Sequence, residues 1–319
     1  MRKAKKILII IGAIMIVLFT GISIFIGTQV FIGSTQLVTN GETKGVTEVF
    51  GEKYDLDYER FCTEYKIEEL EITSSFDQHT IPGDYIYSIE SRDSKNHQTI
   101  ILVHGLGNNR YYNYPLAEYF LEMGYNVITF DQRSTNENTA KYTTFGYYEK
   151  YDVIDLVDYV EEYAQERKIG IWGASYGGAT AGLALGYENM DERIDFMILD
   201  CPVSSMKWMV EQEMKNMDIG IPVGYMTWCG NMINNFKLGF TYQKANVASA
   251  LKDMKTPVFI INSKVDSVTP YFMGKDIYDA IPENNREIWT VEDSAHCEIW
   301  LDYNQEYRDK IDDFLKKYK

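Results

Sequence analysis

Lys168-Ile-Gly-Ile-Trp-Gly-Ala-Ser175-Tyr-Gly-Gly178 is the stretch that decides the fold. Its first half is a short apolar run of strand character, and the small residues after Ser175 open a helix. Between them stands Gly173-Ala-Ser175-Tyr-Gly177, a G-x-S-x-G at a strand-to-helix turn, the pattern of a nucleophile elbow. In so tight a turn the flanking positions must be glycine, because a Cβ there collides with strand or helix. The serine is held in a strained conformation with its hydroxyl pointing out of the sheet. The N–H groups that open the helix can hold an anion.

Working outward, Thr99-Ile-Ile-Leu-Val103 is a continuous apolar run, the mark of a strand covered on both faces. Further strands are expected over 125–130, 168–172, 194–199, 257–261 and 287–291. Helical patterns over 111–123, 147–165, 176–187, 273–281 and 301–318 alternate with them. That alternation predicts right-handed crossovers and a mostly parallel sheet flanked by helices. Two earlier stretches, 64–73 and 84–90, alternate apolar with polar. They read as half-buried antiparallel strands joined by a turn around Ile81-Pro-Gly-Asp84.

The rhythm breaks over 203–254, where about 50 residues stand in place of a crossover that needs about a dozen. This segment is dense in methionine and aromatic residues, Met206, Trp208, Met214, Trp228, Met232 and Phe236 among them. We expect a mostly helical lid insertion over the C-terminal edge of the sheet, where open α/β sheets bind ligands. Most of its apolar side chains form its own core, and a few line an adaptable acyl pocket.

A serine hydroxyl is a poor nucleophile until a base takes its proton. The histidines are His79, His97, His104 and His296. His79 and His97 lie in polar, turn-like stretches and read as solvated surface. His104 opens His104-Gly105-Leu106-Gly107 just past the 99–103 strand. His296, in Glu292-Asp-Ser-Ala-His296 after the last strand, is the candidate base. The acid that would orient it is Asp266, in Ile261-Asn-Ser-Lys-Val-Asp266, after one strand and before a helix. Asp200, in Leu199-Asp-Cys-Pro202, is its competitor. Asp293 reads as a cap or a solvated turn residue.

Together these pieces resemble the α/β-hydrolase family, over roughly 66–319. The order Ser175, Asp266, His296 is the order that family uses. The resemblance implies the α/β-hydrolase fold and a serine hydrolase of esterase or lipase type, with those three residues catalytic. It also implies an oxyanion hole from the backbone N–H groups of Leu106 and Tyr176, with His104 shaping the loop. No cofactor and no metal are implied. Asp131-Gln-Arg133 stands where the family has it, but Ser134-Thr-Asn-Glu-Asn138 replaces the glycine-rich continuation often found there, which leaves that loop's conformation open. Serine at the elbow speaks against the branch that attacks with aspartate. A peptidase or acyltransferase would use the same three residues, since fold does not fix function. A surface binding protein without catalysis is the reading from another class.

Composition bounds the rest. The chain has 319 residues, 45% of them hydrophobic, enough for a packed core. A formal charge of −16 argues against a nucleic-acid partner and against anionic lipid held by the main domain. The N-terminus differs in kind: Met1-Arg-Lys-Ala-Lys-Lys6 is basic, and 7–41 carry no charge. The apolar run over 7–32 is long enough to cross a bilayer and longer than the roughly 7–15 residues of a cleaved signal core. We expect an uncleaved anchor with its basic tip in the cytoplasm and the rest outside. The expected division is 1–32 tip and transmembrane helix, 33–60 linker, and 61–319 hydrolase domain carrying the 203–254 lid. The expected substrate is a small or lipid-like ester. Cys62, Cys201, Cys229 and Cys297 fit no zinc spacing, and the sequence leaves open which of them, if any, pair. It is silent on oligomeric state.

Overall fold

A computed structural model of the chain describes residues 2–44, 53–54, 56–89, 98–164 and 168–318. His97 lies outside them. In chain order the elements are α1 (Arg2–Thr35), α2 (Asn40–Thr43), α3 (Tyr58–Glu64), β1 (Lys66–Thr73), β2 (Thr80–Tyr87), β3 (Gln98–Val103), α4 (Tyr114–Glu122), β4 (Asn126–Phe130), α5 (Glu149–Tyr159) and β5 (Lys168–Ala174). They continue with α6 (Tyr176–Leu185), β6 (Phe196–Asp200), α7 (Met206–Met217), α8 (Val223–Leu238), α9 (Val247–Leu251), β7 (Val258–Ser263), α10 (Phe272–Ala280), β8 (Arg286–Val291), α11 (Ile299–Asp302) and α12 (Asn304–Lys317). The contacts divide the chain into two units. One holds Met1–Leu37 with Met206–Lys244, the other Val38–Ser205 with Ala245–Lys319.

The larger unit is built on an eight-stranded sheet in the order β1-β2-β4-β3-β5-β6-β7-β8. β3 pairs in parallel with β4 and β5, and the parallel run continues through β6, β7 and β8. β1 and β2 add an antiparallel hairpin whose β2 pairs antiparallel with β4. On one face Ile100, Leu102, Trp172 and Ile198 pack against Phe120 of α4 and Phe314 of α12. Each fully buried side chain of that size stabilises the fold by about 1.5–3 kcal/mol. Parallel pairing has one consequence for chemistry. The loops that follow β3, β5, β7 and β8 all leave the sheet at the same edge, carrying His104, Ser175, Asp266 and His296, and β6 ends there at Asp200.

One expectation is overturned. Ile81-Pro-Gly-Asp84 is not a turn but the centre of β2, with Pro82 opposite Glu71. Proline is tolerated there because β4 has ended at Phe130. The missing N–H would face the Asp131 carbonyl, which accepts from Asn138 Nδ2 at 2.9 Å instead, while the Pro82 carbonyl accepts from the Asp131 N–H at 2.9 Å. The reversal falls earlier, where the Ser74 N–H donates to the His79 carbonyl at 2.8 Å and Gln78 takes a positive φ of 65°.

The stretch after α1 is pinned to the larger unit. Asn40 Nδ2 donates to the carbonyls of Asn136 and Asn138 at 2.9 and 2.8 Å, and the Thr43 hydroxyl accepts from the Asn136 N–H at 2.7 Å. In the smaller unit the insertion is helical, as its composition predicts, and α8 packs along α1.

Candidate active site

Close approach builds the elbow. Ser175 adopts φ 54° and ψ −115°, a conformation that a residue with a Cβ holds only where its surroundings enforce it. A Cβ on Gly173 would lie 2.5 Å from the Gly177 carbonyl oxygen, and one on Gly177 would lie 2.1 Å from that of Val103. Both positions admit only hydrogen. The Ser175 N–H donates to the Asp200 carbonyl at 2.8 Å, and the Ser175 carbonyl accepts from the Val203 N–H at 3.0 Å. Backbone alone therefore fixes the turn.

The structure brings Ser175, Asp266 and His296 together. His296 Nε2 lies 2.9 Å from Ser175 Oγ, and His296 Nδ1 lies 2.7 Å from Asp266 Oδ2. With the Nδ1 proton given to the carboxylate, Nε2 is left to accept from the hydroxyl. Asp266 Oδ1 accepts from the N–H groups of Val268 and Thr269 at 2.8 and 2.9 Å. This Asx turn holds the carboxylate in place. Thr269 is a residue that sequence reasoning missed. Its hydroxyl stands 2.9 Å from Asp266 Oδ2 and 3.1 Å from His296 Nδ1, and Asp-x-x-Thr after a strand was the available signal.

Electrostatics follow from that packing. Burial works against charge on Asp266, yet the bonds from His296 and Thr269 hold its carboxyl below the usual range. Burial also opposes the His296 imidazolium, but the neighbouring Cys201 and Asp266 raise its pKa above the ordinary value. Burial pushes the Cys201 thiol well above its own ordinary value. It is neutral at pH 7, so the Asp266 carboxylate carries the effect there.

The loop after β3 lies against the elbow, a Cβ on Gly105 falling 3.6 Å from that of Ser175. Among the described residues, neither the Leu106 N–H nor the Tyr176 N–H has a hydrogen-bond partner. Tyr176 is the first residue of α6, where an N–H has no acceptor within the helix. The Leu106 loop is held through buried His104. Gln132 N–H donates to His104 Nε2 at 3.1 Å, so Nδ1 carries the proton and donates to the Gly105 carbonyl at 2.8 Å. Burial keeps this imidazole below its ordinary pKa, hence neutral. The Gln132 side chain donates to the His104 carbonyl and accepts from the Thr180 hydroxyl of α6 at 2.7 Å. Loop and elbow helix are thus tied to each other.

The Tyr176 side chain has a part of its own. Its hydroxyl donates to Glu149 Oε1 at 2.8 Å and accepts from the Phe145 N–H at 2.9 Å, all buried. Tyr176→Phe leaves that N–H without a partner and should lower the unfolding free energy by about 1–3 kcal/mol in a denaturant titration. An unchanged midpoint would mean the phenol is not structural.

The 131–138 stretch after β4 is held by side-chain bonds in place of glycines. Buried Asp131 pairs with Arg110 Nη1 at 2.7 Å and accepts from Arg110 N–H and Asn136 Nδ2, both at 2.9 Å. Arg110 also reaches Asp84 at 2.9 Å. His79 corrects the surface reading. Its ring stands 2.6 Å from Asp77 and 3.3 Å from Asp152, and Asp77 pairs with Arg133 at 2.8 Å. The polar turn around it folds onto α5, whose Asp155 accepts from the Ser75 N–H. Burial pulls the His79 pKa down, but the neighbouring Asp152 and Asp77 carboxylates outweigh it and the net direction is up.

Asp200 faces elsewhere. Its carboxylate accepts from the Tyr307 hydroxyl at 2.9 Å, which in turn accepts from Trp172 Nε1 at 3.0 Å. Burial pushes the Asp200 carboxyl up to about 6. Asp293 accepts from the exposed Tyr303 hydroxyl. Cys201 and Cys297 are free thiols with their sulfurs 3.1 Å apart, a meeting of residues 96 positions apart that no spacing announces.

Sheet order, elbow and edge loops are those of the α/β-hydrolase fold. A family model described as alpha/beta hydrolase fold matches residues 98–226. The chain is 25% identical over 254 residues to the uncharacterised protein YqkD of Bacillus subtilis, covering 77% of this chain and 82% of that one. It is 22% identical over 255 residues to a lysophosphatidylserine lipase of Xenopus tropicalis, covering 74% of this chain and 64% of the lipase. Among solved structures, an esterase of Pyrococcus furiosus superposes with a TM-score of 0.64 at 22% identity, over 82% of this chain and 95% of that one. The chain has the α/β-hydrolase fold.

Proposed function

We propose that this chain, with its α/β-hydrolase fold, is a membrane-anchored, extracytoplasmic serine hydrolase that cleaves carboxylic acyl esters through an acyl-enzyme. The observation that carries the reading is the unbroken line from Asp266 through His296 to Ser175. Ser175 Oγ attacks the ester carbonyl as His296 Nε2 takes its proton. Asp266 keeps the Nδ1 proton in place and steadies the imidazolium. The N–H groups of Leu106 and Tyr176 donate to the oxyanion of the tetrahedral intermediate. His296 then returns the proton to the leaving alcohol, and water, activated the same way, releases the acid. In this reading 1–32 are tip and anchor, 33–60 the linker, and 61–319 the catalytic domain with 203–254 as its lid.

Esterase and lipase relatives favour ester over amide, and α1 is long and apolar enough to span a bilayer. The test uses the full chain in detergent, with a fluorophosphonate probe and a panel of p-nitrophenyl esters beside matched anilides. Labelling is expected, with ester turnover about a hundredfold or more above anilide turnover. Folded protein that neither labels nor turns over ester would remove the reading. Faster anilide cleavage would move it to a peptidase. Protease added outside intact cells should digest the catalytic domain, and protection of that domain would reverse the orientation.

A further inference from the structure

We propose that the exposed apolar face of α8 is a lipid-binding surface, set at the boundary between acyl chains and headgroups of the outer leaflet beside α1. The inference rests on the reading of α1 as a membrane anchor. Large apolar side chains along α1 stand open, with Ile9, Val17 and Phe25 65–70% exposed. No part of the helix's most apolar window is buried by protein.

The contact between α1 and α8 has the character of a pair made in lipid. A Cβ on Gly27 would lie 2.5 Å from the Cys229 carbonyl oxygen, and one on Gly230 would lie 2.3 Å from Val30. Small residues that let two backbones approach are how helices associate where no hydrophobic effect drives them. The Ser23 and Tyr225 hydroxyls bond at 2.7 Å, satisfying two polar groups within an apolar stretch. Away from that seam α8 presents Trp228, Met232 and Phe236, spaced four apart on one face and 51, 54 and 87% exposed. The 16 residues of α8 carry a single charge, Lys237 in the last turn. A helix facing water would be charged on that side.

Depth follows from helix geometry. At about 1.5 Å per residue from Ile7, Phe19 and Ser23 stand roughly 18 and 24 Å into a hydrocarbon layer about 30 Å thick. Tyr225 touches both, its ring centroid 5.9 Å from that of Phe19. The start of α8 therefore lies in the outer half of the bilayer. There Tyr225 stacks on Trp228 at 6.2 Å, and amphipathic aromatics of this kind belong at the headgroup boundary. A groove of about 180 Å³ between the helices, walled by Phe19, Ile24, Trp228 and Met232, continues the lipid-facing side of α1 and admits part of an acyl chain.

The test places the full chain in phosphatidylcholine vesicles whose acyl chains are brominated near the carbonyl, and reads tryptophan emission before and after Trp228→Phe. Bromination should quench the wild-type protein, and Trp228→Phe should remove most of that quenching, while both proteins resist carbonate extraction. Equal quenching in the two proteins, or none in either, with the chain still resisting extraction, overturns the lipid-facing α8 and leaves the anchor intact. Release by carbonate overturns the anchor and this inference with it.

Discussion

Ser175→Ala should lower kcat for ester hydrolysis by about ten-thousandfold or more and abolish fluorophosphonate labelling, while the protein stays folded. The size follows from what is lost. Without Oγ no acyl-enzyme forms, and only binding and the two N–H donors remain to assist water. The fold should survive because the backbone, not the side chain, holds the turn. Ser175 N–H to Asp200 and Val203 N–H to Ser175 are unaffected by the change, and alanine keeps the Cβ that the φ of 54° already accommodates. His296 Nε2 loses a partner but is partly exposed and can bond to water. Labelling that persists in the alanine variant would mean that another side chain attacks. A collapsed unfolding transition would mean that the hydroxyl is structural.

The parts of this molecule that were legible in its sequence are the ones with a local physical signature. The apolar run 99–103 reads as a covered strand because both its faces must be buried, and Ile100, Ile101, Leu102 and Val103 are all fully buried. The elbow reads from its glycines because sterics permit nothing else there. The meeting of residues 175, 266 and 296 was readable because parallel strands deliver their C-terminal loops to one edge, so position after a strand stands in for position in space. Where that substitution fails, so did the reading. Pro82 and Gly83 look like a turn locally, and only the end of β4 beside them makes a strand acceptable. His79 sits in a polar stretch, but Asp152 and Arg133, more than 50 residues away, enclose it. The replacement of a glycine-rich loop by Ser134-Thr-Asn-Glu-Asn138 became intelligible only once Asp131 and Arg110 were seen to hold it. The pairing of α1 with α8 joins segments about 200 residues apart and leaves no mark in periodicity.

Asp266→Asn should lower kcat by about ten-thousandfold and move the acid limb of the kcat/KM profile to lower pH. The two effects have one cause. The neutral amide can donate toward Nδ1, which favours the tautomer with its proton on Nε2, where it cannot accept from Ser175. The sign of the pH shift follows from the His296 environment. Activity needs a neutral imidazole, so in the wild type it is present above the His296 pKa and is lost as pH falls through it. That pKa is raised, so the wild-type limb should lie above about 6.5. Removing the carboxylate removes what sustains the imidazolium at neutral pH and leaves burial, which acts in the opposite direction. Asp200 is the control. Its carboxylate is held by Tyr307 and acts on His296 only through space, so Asp200→Asn should move the limb less than Asp266→Asn does. A limb that moves with Asp200→Asn and stays put with Asp266→Asn would transfer the orienting role to the end of β6, and the bond seen at 2.7 Å between Asp266 and His296 would then be structural.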